Sequence, residues 1–360
     1  MLFVMSRLWR HLLRAIRVRP GRTALAVSLL MVVSLLANAL AFWWFDGQIK
    51  PDIGFGDALW YSLISVTTIG YGDFSATTGP ARWATTLAIV FVGLPVFGAF
   101  MGIIADQAVA YHERERKGML PVHDTGHLLI LNCPTPQRVR DIAEEFRADP
   151  QHQGRAIYLV TDKLDQNPLS EAEIGFVKGS PIDEEVLNQA NIAQAATVIV
   201  LSPDYGAPES DSQVAAAITL AEGLNPGIRT IAECLDERHR YLFTSAKTDA
   251  VIFPLRMANN AIVQVSQDPG VGQYLDRVLA NTEGESLYST LVPAGLRTQG
   301  TYLEVARALL DTGVVLQAVM NEGEMTMELG KREVRAGDRL IYHAAERLDE
   351  HQLAALIGEA

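Results

Sequence analysis

The most specific chemistry in this chain lies in six consecutive residues, Thr68-Ile69-Gly70-Tyr71-Gly72-Asp73, with Thr67 before them. Gly70 and Gly72 can take backbone angles closed to other residues. Successive peptide carbonyls can then face one way and replace the water around a stripped cation. A Gly-Tyr-Gly triplet alone is an ordinary turn, so its setting decides. Just ahead of it, the stretch from Asp57 to Thr67 is apolar enough to enter a bilayer and too short to cross one, which predicts a re-entrant helix. Non-helical backbone at membrane depth is tolerated only where protein buries it or where it lines a polar pore. An isolated loop would turn its carbonyls to lipid, so the motif predicts a homotetramer with four loops around one axis.

Two elements must hold such a loop in the membrane. Thr23 to Phe45 and Trp83 to Ala105 contain no charged residue or histidine, and each is long enough to span. Arg7, Arg10, Arg14, Arg17, Arg19 and Arg22 precede the first span, whereas only Lys50 and Arg82 supply positive charge between the two. The positive-inside rule places both termini in the cytosol. The basic segment 1–22 reads as an interfacial helix on the inner leaflet or as a plain topology signal. It is a poor signal peptide, since the apolar run is too long and Ala-Phe-Trp-Trp-Phe is no cleavage site. The pore domain is thus 23–105, with pore helix and loop at 57–73. In the second span Pro95 cannot bond the carbonyl of Phe91 and Gly93 lies beside it, which predicts a kink; the pair resembles the hinges of pore-lining helices in two-span potassium channels, which implies a gating hinge at Gly93 and Pro95. Close helix packing by Gly93, Gly98 and Gly102 is the alternative reading.

On these residues the stretch Ala58 to Phe74 resembles the pore helix and selectivity filter of two-span bacterial potassium channels, with Ile69 where Val is usual. The resemblance implies that the carbonyls of Thr68, Ile69, Gly70 and Tyr71, with the Thr68 hydroxyl, ligate potassium ions. It implies too that Gly72 and Asp73 form the outer mouth, with Trp60, Thr67 and Asp73 as filter support. Ile64 stands where some members carry a Glu that pairs with the Asp after the filter. Asp73 then needs another partner, for which Trp60 Nε1 and water are candidates.

The rest of the chain faces different surroundings. Residues 1–122 hold 11 Lys and Arg against 7 Asp and Glu, and residues 123–360 hold 19 against 35. That acidity excludes nucleic acid as a partner and suits a cytosolic body. Cys133 and Cys234, the only cysteines, fall in expected strands and form no metal knuckle. Gly118 and Pro121 end a charged linker at 106–122. Beyond it, short runs rich in Val and Ile at 128–133, 156–161, 197–202, 228–234 and 250–253 alternate with helical patterns, which predicts a doubly wound parallel sheet.

Gly126-His127, Lys178-Gly179-Ser180-Pro181, Ala190-Asn191-Ile192, Val198-Ile199-Val200 and Ala232-Glu233 resemble the regulator-of-potassium-conductance (RCK) family. The implied fold is a Rossmann-like domain at 123–257, a connecting helix within 258–284, a small α/β subdomain at 285–346 and a tail at 347–360. Channels of this kind sit in the prokaryotic cell membrane, and their cytosolic domains pair into a ring of eight, half of them soluble copies; Met119 is a candidate start for such copies.

Two effectors are open. A Rossmann sheet holds nucleotide phosphates on a glycine-rich turn, but the turn Asn132 to Gln137 lacks Gly-x-Gly-x-x-Gly, and Pro134 and Pro136 remove donors. Asp162 matches the ribose-binding acid, so Asn132, Cys133, Asp162 and Gly179 are candidate nucleotide contacts, against a nucleotide-free sheet. Calcium needs converging carboxylates. Glu233 matches one family acid, Leu235 replaces a second, and Asp211 lies in an inserted loop with Asp204 and Glu209. His123, Asp124 and His127 read as linker polarity. A non-selective cation channel departs from Gly-Tyr-Gly, a dehydrogenase has no use for the spans, and a regulator of a separate uptake system would not carry a filter.

Overall fold

The computed structural model describes residues 20–207, 209–282, 286–293, 301–321 and 323–358, in two compact units, Met1–Glu113 and Arg114–Ala360. The basic N-terminal segment, up to residue 19, and the last two residues of the tail lie outside the described residues.

In the first unit an outer helix, Pro20–Asp46, is followed by a short pore helix, Phe55–Val66, and by a continuous inner helix over 79–116. The outer and inner helices are long and apolar enough to cross a membrane. Phe42 and Tyr61 stack with centroids 4.4 Å apart, inside a core of Ala39, Ile53, Ala58 and Ala81. One buried polar contact joins outer and pore helices, Asn38 Nδ2 donating to Ser62 Oγ at 2.9 Å. The inner helix changes pitch along its length. Residues Thr86–Gly93 form a π-helix between two α-helical stretches, Gly79–Thr85 and Leu94–Arg116. The wide turns sit directly ahead of Pro95, where the ladder must lose a donor. Ser34 Oγ of the outer helix donates to the Ala88 carbonyl there at 2.5 Å.

The inner helix runs on into the linker expected at 106–122. Residues 106–116 remain helical, because nothing between Asp106 and Arg116 breaks a helix. It stops at Gly118, φ +65°, where the N–H of Gly118 bonds Glu115 O and that of Met119 bonds Arg114 O, both at 2.9 Å. This is the paired closure of a left-handed C-terminal cap. A Cβ at Gly118 would also lie 2.5 Å from the Lys178 nitrogen. The following residues lie along the sheet of the second unit, Lys178 N–H donating to Gly118 O at 3.1 Å and Asn167 N–H to Arg116 O at 2.7 Å.

That sheet has six parallel strands, β1 (Leu128–Leu131), β2 (Ile157–Thr161), β3 (Ile174–Lys178), β4 (Thr197–Val200), β5 (Arg229–Glu233) and β6 (Ala250–Ile252). Their order, β3-β2-β1-β4-β5-β6, is the doubly wound one. The central strand β1 is buried throughout, as a strand covered on both faces must be. The sequence pattern missed β3. Its Gly175 reads as a breaker, but a Cβ there would meet the Tyr158 ring at 2.3 Å, so the glycine is what lets that ring lie across the strand. The single connecting helix expected within 258–284 is two helices, Pro254–Gln267 and Val271–Leu279, broken at Gly270, φ +94°. The C-terminal subdomain is an antiparallel sheet of β7 (Ser286–Leu291), β10 (Arg339–Ala344), β8 (Val315–Asn321) and β9 (Glu324–Thr326), in that order, covered by helices Tyr302–Leu310 and Glu350–Gly358 around buried Tyr302, Leu309 and Tyr342.

Candidate functional site

The pore helix delivers its C-terminal carbonyls to the loop behind it. The N–H groups of Thr67, Thr68, Ile69 and Gly70 donate to Leu63 O, Ser65 O and, twice, Ile64 O, at 3.1 to 3.2 Å. The loop then alternates in hand: φ is +61° at Thr68, +54° at Gly70 and +80° at Gly72, and negative at Ile69 and Tyr71 between them. Alternation of this kind brings successive N–H groups to one edge and leaves carbonyls on the other. The N–H groups of Thr68, Ile69 and Gly70 are bonded to the pore helix. Among the described residues no donor reaches the carbonyls of Thr68, Ile69, Gly70 or Tyr71. Glycine makes two of the three left-handed positions easy; at β-branched Thr68 the conformation costs about 1–3 kcal/mol. The negative end of the pore-helix dipole lies at the same place, which favours a cation.

Three contacts brace the loop. Trp60 Nε1 donates to Asp73 Oδ2 at 2.8 Å, the Trp60 and Tyr71 rings lie parallel within 9° with centroids 6.1 Å apart, and Thr67 Oγ1 donates to Leu63 O at 2.8 Å. Ile69 and Tyr71 are 56% and 66% exposed in the single chain. Sequence reasoning missed a further contact, in the segment between the loop and the inner helix. Asp46, at the end of the outer helix, is fully buried and accepts from the N–H and hydroxyl of both Thr77 and Thr78, at 2.5 to 3.0 Å. Thr78 in turn caps the inner helix by accepting from Ala81 N–H. The legible signal was a lone acid closing an apolar span, with a Thr-Thr pair ahead of the next one.

Gly93 is buried where three helices meet. A Cβ on it would lie 3.0 Å from Ser34 Oγ and 3.1 Å from both Ala88 O and Val66 Cγ2, whereas one on Gly98 or Gly102 would meet nothing within 4 Å. Pro95 follows at the first turn of the next α-helical stretch.

In the six-stranded sheet, the crevice at the C-terminal ends of β1, β4 and β5 is filled from within. Arg138, in the first turn of the helix after β1, grips Glu233 through Nη1 and Nη2 at 3.1 and 2.5 Å. Ser202 N–H donates to the same carboxylate at 2.8 Å, as does the Tyr205 hydroxyl. Burial and the Glu233 carboxylate push the Tyr205 phenol up to about 12. Asn132, φ +70°, donates through Nδ2 to Leu201 O at 2.9 Å, and burial pushes the neighbouring Cys133 thiol up. Asp162 is exposed at the end of β2, and Gly179 packs against Val186. Asn132 and Cys133 follow β1 at a crevice already holding Arg138, Glu233 and Tyr205, of which the sequence reading named only Glu233, while Asp162 and Gly179 follow β2 and β3.

The expected calcium ligands, Glu233 and Asp211, have separate protein partners. Asp211 accepts from the N–H groups of Leu235 and Asp236 at 2.8 and 3.1 Å and contacts His239 Nδ1 at 2.8 Å. Among the described residues no three His, Cys, Asp or Glu side chains converge as metal ligands.

Comparison with known families agrees with this division. Residues 30–110 match the family described as "Ion channel" (Ion_trans_2), and residues 140–254 match the TrkA-N domain. The chain is 25% identical over 296 residues to the calcium-gated potassium channel TvoK of Thermoplasma volcanium, covering 81% of this chain and 82% of that one. It is 24% identical over 212 residues to the putative potassium channel protein YugO of Bacillus subtilis, covering 58% of this chain and 62% of that one. A solved structure described as "GsuK channel bound to NAD" aligns at 19% identity with a TM-score of 0.46, covering 89% of this chain and 57% of that one. This chain is therefore an ion channel of the two-span class rather than an enzyme, a membrane protein whose pore and TrkA-N (RCK) domain share one polypeptide and whose distant relatives include potassium channels.

Proposed function

We propose that four copies of this chain form a potassium-selective channel in a prokaryotic cell membrane, with both termini cytoplasmic and with opening set by a ligand of the cytosolic domain. The observation that carries the reading is the alternating hand of residues 68–72, with the N–H groups of Thr68, Ile69 and Gly70 bonded to the pore helix and the carbonyls of residues 68–71 free of donors among the described residues. Such a carbonyl row matches the hydration shell of a monovalent cation only when several copies face one axis, and the exposure of Ile69 and Tyr71 fits a loop whose neighbours are other copies. The names of TvoK and YugO point to the same ion. Purified protein in planar bilayers with potassium on one side and sodium on the other tests it. A reversal potential near the potassium value is expected; one near zero with equal sodium and potassium would reject it.

For the cytosolic assembly, the helix pair Pro254–Gln267 and Val271–Leu279 exposes Leu255, Ile262, Val263, Val265, Tyr274 and Leu279. A surface of this size seeks cover, and a second copy supplies the same face by two-fold symmetry. Soluble copies starting at Met119 would complete a ring of eight. If they exist, a shorter product runs below the full chain on a denaturing gel and disappears in Met119→Leu.

Of the two effectors, calcium is named for TvoK, and its candidate ligands here are Glu233 and Asp211. A nucleotide at Asn132, Cys133, Asp162 and Gly179 must first displace Arg138 from Glu233. Arg138→Gln is then expected to alter any nucleotide response more than Asp162→Ala does, in currents recorded with cytosolic nucleotide varied.

A further inference from the structure

Far from the Arg138 crevice, at the opposite, N-terminal ends of β4 and β5, the Rossmann-like sheet and the antiparallel sheet enclose a cleft. Two cavities of about 530 and 490 Å³ make it up, and they share Arg229, Ser289 and Ile341. We propose that this cleft binds a small phosphate-bearing anion.

The argument starts from charge. Residues 123–360 are strongly acidic, with 35 Asp and Glu against 19 Lys and Arg, yet Arg229, Lys247 and Arg339 gather on one cavity. Among the described residues none of these three has an ion-pair partner; Arg339 Nη1 reaches only Ser289 Oγ, at 3.3 Å. The two carboxylates on that cavity are turned to a threonine instead. Thr230 Oγ1 donates to Glu222 Oε1 at 2.9 Å, and Thr230 N–H donates to Asp249 Oδ2 at 2.8 Å. Three cations converging on a concave surface with low-dielectric walls create a positive potential that an anion relieves. Two of them are guanidinium groups, whose planar forks match phosphate oxygens.

The second cavity adds shape. Arg347 sits with its Cζ 4.9 Å from the Tyr288 ring centroid and its Nη2 2.6 Å from Asp149 Oδ2, while its buried Nε has no partner. Opposite it, His152 lies flat on Phe146 at 4.5 Å, with Nδ1 unpartnered. Burial first, then Arg155, Arg347 and Arg229 against the opposing Asp149, hold the His152 ring below its ordinary value. An aromatic wall next to a basic basin, together within the size range of small-molecule sites, fits a ligand with one flat and one phosphorylated end. Because the cleft is lined by both sheets, its occupant ties the C-terminal subdomain to the Rossmann-like domain.

Calorimetry on the full-length chain in lipid nanodiscs, at fixed ionic strength, tests this with two probes, inorganic pyrophosphate and ATP. The reading is equilibrium binding and does not depend on which ion the pore passes. Saturable binding is expected, weakened about tenfold or more by Arg229→Gln and by Arg339→Gln, the weight of a hydrogen bond to a charged group. Arg82→Gln, in the first unit, should leave it within about twofold, a control on the same scale. Binding of ATP alone, with the same losses, assigns a nucleotide to the cleft; binding of both assigns the phosphate. No saturable binding of either probe at about millimolar concentration overturns the proposal, as does binding abolished by Arg138→Gln and untouched at Arg229 and Arg339. The two arginine variants alter partly or fully exposed side chains, and unchanged circular dichroism separates lost binding from lost folding.

Discussion

Trp60 both bonds Asp73 and stacks on Tyr71, and the two roles can be separated. Trp60→Phe keeps a ring against Tyr71 and removes the Nε1 donor. The lost bond is worth about 1.5–3 kcal/mol for a charged acceptor, and it lies beside the loop rather than in it. Selectivity should therefore persist while conduction becomes unstable, with single-channel open times shortened at unchanged reversal potential. A second prediction concerns protons. His127 is almost fully buried, its Nε2 is 3.0 Å from Ala190 O, and its Nδ1 has no partner. Burial, opposed by the Ala190 carbonyl and Asp124, holds its pKa below the ordinary value of 6.5. A depressed histidine pKa means the unfolded chain takes the proton first, so the stability from neutral His127 is present above pH 6.5 and declines below it. Hydrogen exchange at β1 should accelerate as pH falls from 7 to 5, after correction for the intrinsic rate. His127→Phe should flatten that dependence.

Elements show where sequence reading succeeds and where it stops. The parallel sheet was legible because strands buried on both faces leave continuous apolar runs such as Leu128–Leu131. β3 was not, since Gly175 serves a contact with Tyr158 that no local pattern reports. The loop at 68–72 was legible from glycine spacing. Asp46 was not, because its four donors come from residues 31 and 32 positions away. Its importance is testable at the level of the elements it joins. Asp46→Asn leaves the size unchanged, but an amide has one acceptor oxygen for four donors, so about 2 kcal/mol or more of anchoring is lost. The expected outcome is a lower thermal midpoint for the protein in detergent. The inner helix carries the matching case. Gly93→Ala drives a methyl against Ser34, Ala88 and Val66, at about 1–3 kcal/mol for overpacking. Pairing it with Ser34→Ala removes one of the three close atoms. If Gly93 acts by packing, the double variant recovers part of the lost open probability; if it acts as a flexible hinge, the second change makes no difference.

At the scale of the whole chain, a pore and a regulatory domain can communicate only through an element whose two ends are both fixed. The inner helix continues without a break to Arg116 and ends in a cap whose bonds are made at Gly118 and Met119. Gln189 Nε2 then donates to Gly118 O at 3.0 Å and to Leu120 O at 3.2 Å, and Val122 N–H donates to Gln189 O at 2.8 Å. Gln189, with the N–H groups of Lys178 and Asn167, thus holds the exit of the helix within the second unit. A ligand can bias the pore only through a difference between its affinities for two arrangements, and a loosened exit lets the domain change without moving the helix. Gln189→Ala removes two side-chain bonds, about 1–3 kcal/mol in total, and touches no residue of the pore. Its reversal potential in mixed potassium and sodium should equal that of the parent, while the shift in open probability between ligand-free and ligand-saturated protein shrinks. Gly118→Ala should act the same way and more strongly, because the methyl meets both a left-handed backbone and the Lys178 nitrogen. Equal ligand responses in all three proteins would show that the coupling runs elsewhere.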